Sequence, residues 1–430
     1  MKTIPSILAT LSLAVSSVVS AQTTVIHAGE LLVTPGDKPL KAQTVVIKDG
    51  KISQVVSGYE KPSKYGKEVQ LIDLKDRFVM PGLMDMHVHL QGELGPNNDS
   101  EALRMSGTDV AMRSTMFANK VLQAGFTTVR DLGASPEEIF ALRDAVNNGW
   151  VNGPRIIAAG SSVAVTGGHG DVDGMKAELI EKYTPKTICD GPYDCRRATR
   201  HAIKYGADVI KITSTGGVLS DTNTGTGQQM TDDELKEIVE TAHALGRKVT
   251  SHAHAAAGIN AALRAGVDSI EHGSYADEES IRLFKENGAY LVPTLLAGDT
   301  VVTLAKTSNF MSPAIKAKAI RVGADMTANF KRSYQAGVKI AFGTDSGVSK
   351  HGINAREAVL MANAGMSNSD ILKSATVNAA ELIDMSASLG TIEQGKLADI
   401  VAYDESPLKN IEALLDVDFV MKGGVVHKQK

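Results

Sequence analysis

Two histidines one residue apart, His87 and His89, close an apolar run, Met80-Pro-Gly-Leu-Met-Asp-Met-His-Val-His-Leu90. Alternate side chains of a strand share a face, so both imidazoles project together and could grip one metal ion. Alone the pair is a weak signal, because histidines also pack in cores. The same chemistry recurs downstream, in Thr166-Gly-Gly-His169-Gly-Asp171, Ala207-Asp-Val-Ile-Lys211-Ile, Ser251-His252-Ala-His254, Ile270-Glu271-His272-Gly273, Phe342-Gly-Thr-Asp345-Ser346 and Ser349-Lys-His351-Gly-Ile-Asn354. Seven of the eleven histidines, with Lys211 and Asp345, thus stand where predicted strands end. Imidazole and carboxylate donors suit Zn2+, with Mn2+, Co2+ or Fe2+ also open. Lys211, inside Val-Ile-Lys-Ile, is either an ion-paired or snorkelling lysine or a desolvated one with a lowered pKa. A neutral amine can add CO2 and lose a proton, giving a carbamate able to bridge two cations.

These residues need strands to carry them. Strand candidates are 83–90, 127–132, 155–161, 208–214, 248–254, 269–273, 290–294 and 339–344, alternating with amphipathic or Ala-rich stretches such as 232–245, 255–265 and 278–287. Thr231-Asp-Asp-Glu234 opens one helix as a capping box. Eight such alternations predict an α/β fold, a (β/α)8 TIM barrel whose chemistry gathers at the C-terminal strand ends. The competing reading is a doubly wound open sheet, against which stands the lack of Gly-x-Gly-x-x-Gly after the first strand. Residues 22–79 and 386–430 are β-rich, with Asp49-Gly50 as a hairpin turn. They are expected to pair into one small β-sandwich domain, with the barrel domain, 80–385, inserted between them.

The bulk numbers are those of an ordinary globular protein, with 43% hydrophobic and 22% charged residues in 430. A net charge of −4 gives no nucleic-acid or anionic-membrane surface, and 4% aromatics no stacking platform. Lys2 precedes an apolar, Ser-rich run from Ile4 to Val19, and Val19-Ser-Ala21 offers small residues for cleavage. Residues 1–21 therefore read as a secretory signal peptide, and the mature protein as exported, periplasmic or secreted, and off the membrane; an uncleaved anchor is the alternative. Cys189 and Cys195 either close a small disulfide loop or remain free thiols near a helix start. The Gly-rich segment 215–230 is either a lid over the site or a surface connection, and it lacks the Gly-Lys-Ser/Thr ending of a P-loop.

Taken together, Pro81-Gly-x-x-Asp85-x-His87-x-His89, Gly125-x-Thr-Thr-Val-Arg-Asp131, Lys211, His252, His272, Gly343-Thr-Asp345 and Gly390-x-Ile-x-x-Gly395-Lys-x-Ala-Asp399 resemble the amidohydrolase superfamily. The likeness is greatest to its branch of prolidase-like, metal-dependent carboxypeptidases and dipeptidases, which includes imidazolonepropionase-like proteins and enzymes that cleave ochratoxin-type amides. The resemblance implies two divalent metal ions. His87, His89 and Asp345 would bind one, His252 and His272 the other, and a carboxylated Lys211 would bridge them. It further implies that metal-activated hydroxide attacks the amide of a dipeptide or N-acyl amino acid, with Asp345 as general base and then acid. His254 is expected at the substrate carbonyl or beside a ligand, and His169 and His351 either at the substrate or as loop braces. Hydrolysis of a cyclic amide or imidazolone-like ring is the alternative activity, and a non-catalytic scaffold the alternative class. The resemblance also implies a homo-oligomer.

Overall fold

The computed structural model describes residues 23–220 and 225–430. The signal-peptide reading lies outside the described residues, as do four residues of the 215–230 segment. Both chain ends enter one seven-stranded sheet. Its order is Val425–Gln429, Phe419–Lys422, Ile400–Tyr403, Val69–Pro81, Thr23–Leu31, Leu40–Lys48 and Lys51–Ser57. The two ends meet where Val69–Pro81 pairs antiparallel with Ile400–Tyr403, Met80 opposite Val401. Ile26, Val45, Ile47, Ile72, Ile400 and Phe419 share its buried core. Asp49-Gly50 makes the expected two-residue turn, with φ of 51° and 73°. The sheet curls until this turn touches the Gly423-Gly424 turn. A Cβ on Gly50 would stand 2.6 Å from the Gly423 carbonyl oxygen, so only glycine fits there.

The intervening chain is mixed α/β. Leu83–Val88, Phe126–Asp131 and Arg155–Ala158 form one parallel sheet in chain order. Ile210–Thr213, Val249–Ala253, Ser269–His272, Tyr290–Val292 and Lys339–Ile340 form another, again parallel and in chain order. Backbone hydrogen bonds continue across both gaps between the sheets. Asp208 and Val163 donate to Ala158 and Lys211 across one, at 2.8 Å each; Met86 and Asp345 donate to Phe342 and His87 across the other, at 2.8 and 2.7 Å. Helices fill the connections, from Gly107–Gln123 to Arg356–Asn363. Their apolar faces pack on the strands in a single buried cluster that includes Leu122, Ile139, Leu235, Ile259, Phe330 and Met361. Thr231 and Glu234 make the expected capping box on Asp232–Ala244.

Seven of the eight strands are shorter than the sequence pattern predicts, and for two of them the cause is plain. Tyr290–Val292 stops at Pro293, which has no N–H for the ladder, and Thr294 then turns with φ of 50°. Lys339–Ile340 ends because the next residues change partners: Phe342 donates to Ser374 and accepts from Met86. Cys189 and Cys195 are joined as a disulfide beside the start of Pro192–Lys204.

Candidate active site

The parallel strands deliver their ends to one place, a cavity of about 260 Å³. Its walls include His87, His89, His169, Lys211, His252, His254, His272 and Asp345. Nearly all the sequence-read residues therefore converge. His351 does not line the cavity. It is buried behind it, its Nδ1 3.1 Å from Glu93 Oε1 and its Nε2 3.1 Å from the His89 carbonyl oxygen, with its ring stacked on Phe117 at 4.4 Å. One N–H of the neutral ring can donate to Glu93 or to the His89 carbonyl, and these contacts hold the ring against the loop after the last strand.

What each imidazole does is set by its other nitrogen. His87 Nδ1 donates to Glu271 Oε2 at 2.8 Å, and His89 Nδ1 donates to the Gly133 carbonyl oxygen at 2.8 Å. Both acceptors lack protons, so both Nε2 atoms of the neutral rings carry lone pairs. These face Asp345 Oδ1, at 3.6 and 3.1 Å. Asp345 Oδ1 is buried, and among the described residues no hydrogen bond reaches it. A ring lone pair against a carboxylate oxygen is repelled unless a metal cation lies between them or, at His89, whose pKa Asp345 raises, a proton does. The donor set thus fits a metal ion.

Beside His87, whose ring is 5.2 Å from that of His272, His272 Nδ1 meets Thr294 Oγ1 at 2.7 Å, and His254 Nδ1 meets Ser274 Oγ at 2.8 Å. The His252 ring stands 4.7 Å from those of both His254 and His272, and 4.2 Å from that of His169, whose Nδ1 meets Ser220 Oγ at 2.6 Å. Donor atoms of His87, His272 and Asp345 lie within 4.8 Å of one another. This grouping crosses the two-site division that the resemblance implied, with His89 and His252 on its flanks. Three residues here, His272, Thr294 and Asp345, carry a left-handed backbone, with φ of 70°, 50° and 56°. Such conformations cost non-glycine residues energy and cluster where function demands them.

Burial keeps most of these rings neutral. Desolvation, with help from the Lys211 ammonium, lowers His87 to about 4. Desolvation likewise lowers His169 to about 4 and His254 to about 3, and it holds His252 and His272 well below the ordinary value. Neutral imidazoles are the form that ligates metal. His89 is the exception: burial lowers it, but Asp345 outweighs burial and raises it. Burial lowers Lys211 to about 8, while Glu271 and Asp345 pull the other way. Among the described residues no hydrogen bond or ion pair reaches the Lys211 amine. It is a desolvated amine facing a cavity.

Residues that the motif reading left without a role hold this arrangement. Glu271 accepts from His87, from Arg130 Nη2 at 2.8 Å, from Ser269 Oγ at 2.8 Å and from the Thr250 hydroxyl. Asp85 accepts from the His87 and Thr344 amides at 3.1 and 3.0 Å, and from Thr344 Oγ1 and Asn354 Nδ2 at 2.6 and 2.8 Å. It ties the first strand to the turn that carries Asp345. Asp131 accepts from the Leu90 amide at 2.7 Å, fixing the backbone just after His89. Glu271 sits next to His272 in the sequence, and Arg130-Asp131 closes the second strand. Polar residues inside apolar strands were the available signal.

The Amidohydrolase family model matches residues 78–426. Ochratoxinase of Aspergillus niger is 34% identical over 436 residues, spanning 97% of this chain and 89% of that protein. A crystal structure of a Xaa-Pro dipeptidase with methionine bound in its active site superposes with a TM-score of 0.90 at 40% identity, covering 95% of this chain and all of the other. A prolidase complexed with N-methylphosphonate-L-proline superposes at 0.85 and 32% identity, with 95% and 100% coverage. The chain belongs to the amidohydrolase family. It is a hydrolase acting on amide or peptide carbon–nitrogen bonds.

Proposed function

We propose that the two parallel sheets form one closed (β/α)8 barrel, and that its strand-end cavity is a binuclear-metal centre cleaving the amide of a dipeptide or N-acyl amino acid. The observation that carries this reading is the Asp345 carboxylate facing two imidazole lone pairs, with four further imidazoles and a desolvated lysine around it. His87, His89 and Asp345 would hold one divalent cation, His252 and His272 the other, and Lys211, as its CO2 adduct, both. Bound ions supply an acidified water and an electrophilic pull on the amide carbonyl, and zinc suits the donors.

The chain's own residues do the rest. Asp345 takes a proton as water attacks and returns it to the departing amine nitrogen. With His254 Nδ1 accepting from the Ser274 hydroxyl, its Nε2–H is the donor left for a substrate carbonyl. His169, which lines the cavity with its ring 4.2 Å from that of His252, would contact the substrate. Leu132, Val218, Val301, Val322, Met326 and Val348 line the remaining wall. An apolar side chain loses water there without penalty, whereas an unpaired charge costs several kcal/mol.

The apolar run 4–19 and the Cys189–Cys195 disulfide support export and action outside the cytoplasm. The test is hydrolysis of a panel of dipeptides and N-acyl amino acids, including an ochratoxin-like aromatic amide, by metal-loaded protein in bicarbonate. Release of amino acid that stops on adding chelator is the expected result. Silence across the panel, with two metal ions verified per chain, overturns the reading and favours a cyclic amide.

A further inference from the structure

A groove of about 1080 Å³ opens beside the catalytic cavity. Gly133, Ser162 and Gly170 line both spaces, so the two meet at residues that carry no more than a hydroxymethyl group. Gly133 lies directly against a proposed metal ligand: a Cβ on it would stand 2.9 Å from His89 Cε1. From there the groove runs outward between two helices. Phe140 and Asp144, four apart on Pro136–Asn147, form one side. His201 and Tyr205, four apart at the end of Pro192–Lys204, form the other, with their rings 4.5 Å apart. Tyr183 and Tyr205 leave 41% and 55% of their surface exposed, free to pack against a bound chain.

The charges set a direction. Three carboxylates line the groove, those of Glu137, Glu138 and Asp144, against one lysine, Lys186. Asp144 is paired with Arg143 at 3.0 Å, while among the described residues no ion pair reaches Glu137 or Glu138. A peptide leaving the cavity by its carboxyl end would be repelled here. One leaving by its amino end would bring an ammonium to the carboxylates and its side chains to the tyrosines.

We propose that this groove is an outer subsite for the amino-terminal part of a peptide whose scissile amide sits in the cavity, so that the enzyme trims tripeptides and longer peptides as well as dipeptides. The proposal rests on the amide-cleaving reading above. It is tested with the metal-loaded full chain on Ala-Leu, Ala-Ala-Leu and Ala-Ala-Ala-Leu, following leucine release. The expected result is a rise in kcat/KM of about tenfold from dipeptide to tetrapeptide, the size expected from burying one or two methyl groups against the tyrosine rings. Tyr183→Ala with Tyr205→Ala should collapse the tetrapeptide-to-dipeptide ratio towards one. Glu137→Gln with Glu138→Gln should abolish the advantage of a free over an acetylated amino terminus.

Binding is measured in parallel by calorimetry, with the tetrapeptide carrying a reduced, uncleavable last bond. Should no peptide be cleaved, tyrosine-dependent binding of this probe would still uphold the groove while the dipeptide reading falls. A flat length profile, or a ratio untouched by the tyrosine changes, overturns the proposal. So does a Tyr205→Glu variant that dissociates an oligomer and leaves the ratio intact, since the groove would then be a subunit contact.

Discussion

Arg130→Met takes the guanidinium away from a carboxylate that has no water to turn to. Arg130 and Glu271 are 1% and 0% exposed, and Nη2 stands 2.8 Å from Oε1. Arg130 also donates from Nε to the Met86 carbonyl oxygen at 2.7 Å, so it ties the first strand to the sixth. Methionine fills much of the space and supplies no donor. Removing one member of a buried pair costs about 3–5 kcal/mol, which for a chain of this length is about 3–6 °C in Tm.

The pH dependence adds a sign. Burial alone would raise Glu271, but Arg130 and then His87 outweigh it and hold the carboxyl at about 2, against an ordinary 4.5. A lowered folded-state pKa means stability that is fully present above 4.5 and lost progressively as pH falls from there through about 2. Without Arg130 burial dominates, and the folded-state pKa moves above the unfolded one. The variant's deficit should then be greatest near neutral pH and shrink as acid protonates the carboxyl. Urea unfolding of wild type, R130M and R130M/E271Q across that range measures it, and the double variant should recover part of the loss. A neutral-pH deficit below about 1 kcal/mol, or one that does not change with pH, would refute the reasoning.

Other expectations follow from single contacts. Asp345→Asn cannot take up the proton, so kcat should drop by about 10²–10⁴ with KM little changed, read by steady-state release of amino acid; equal turnover would remove Asp345 from its role. Thr294→Val deletes the partner of His272 Nδ1 and should weaken metal binding about 10–100-fold in a chelator competition, with the fold intact by circular dichroism. His351→Ala should cost about 1–3 kcal/mol in stability and spare kcat/KM, because its ring is spent on Glu93, His89 and Phe117. A catalytic loss at unchanged stability would contradict that placement. Converting both Cys189 and Cys195 to serine should lower stability by about 2 kcal/mol, as expected for so short a loop, and make unfolding insensitive to reductant.

Much of the site was legible because its information is local. Residues two apart on a strand share a face, so His87 with His89 and His252 with His254 could be read as pairs without knowing what they meet. The apolar run around Lys211 left it either ion-paired, snorkelling or desolvated; the structure buries its side chain, and among the described residues no hydrogen bond or ion pair reaches its amine. Turn and cap chemistry is local too, and Asp49-Gly50 and Thr231-x-x-Glu234 adopt their expected forms. The family was also readable, since its motifs recur in order along the chain and match over residues 78–426.

Other features depended on what the fold brings together. Glu271 reaches His87 across 184 residues, Gly133 reaches His89 across 44, and Thr294 reaches His272 across 22. No spacing rule encodes such partners, because they are set by which strands become neighbours and at what register. The left-handed backbone at His272, Thr294 and Asp345 was equally invisible, since each is ordinary in sequence and is held there only by its surroundings. His351 shows the converse. It stands just past the last strand with the spacing of a site residue, yet packing against Phe117 and Glu93 turns its ring away from the cavity. Sequence by itself determined which residue types stand at the strand ends and which of them share a face, because a strand's two-residue period is a property of the local backbone. Only tertiary structure decided which nitrogen of each ring is left to act, because that depends on a hydrogen-bond partner supplied by a distant segment.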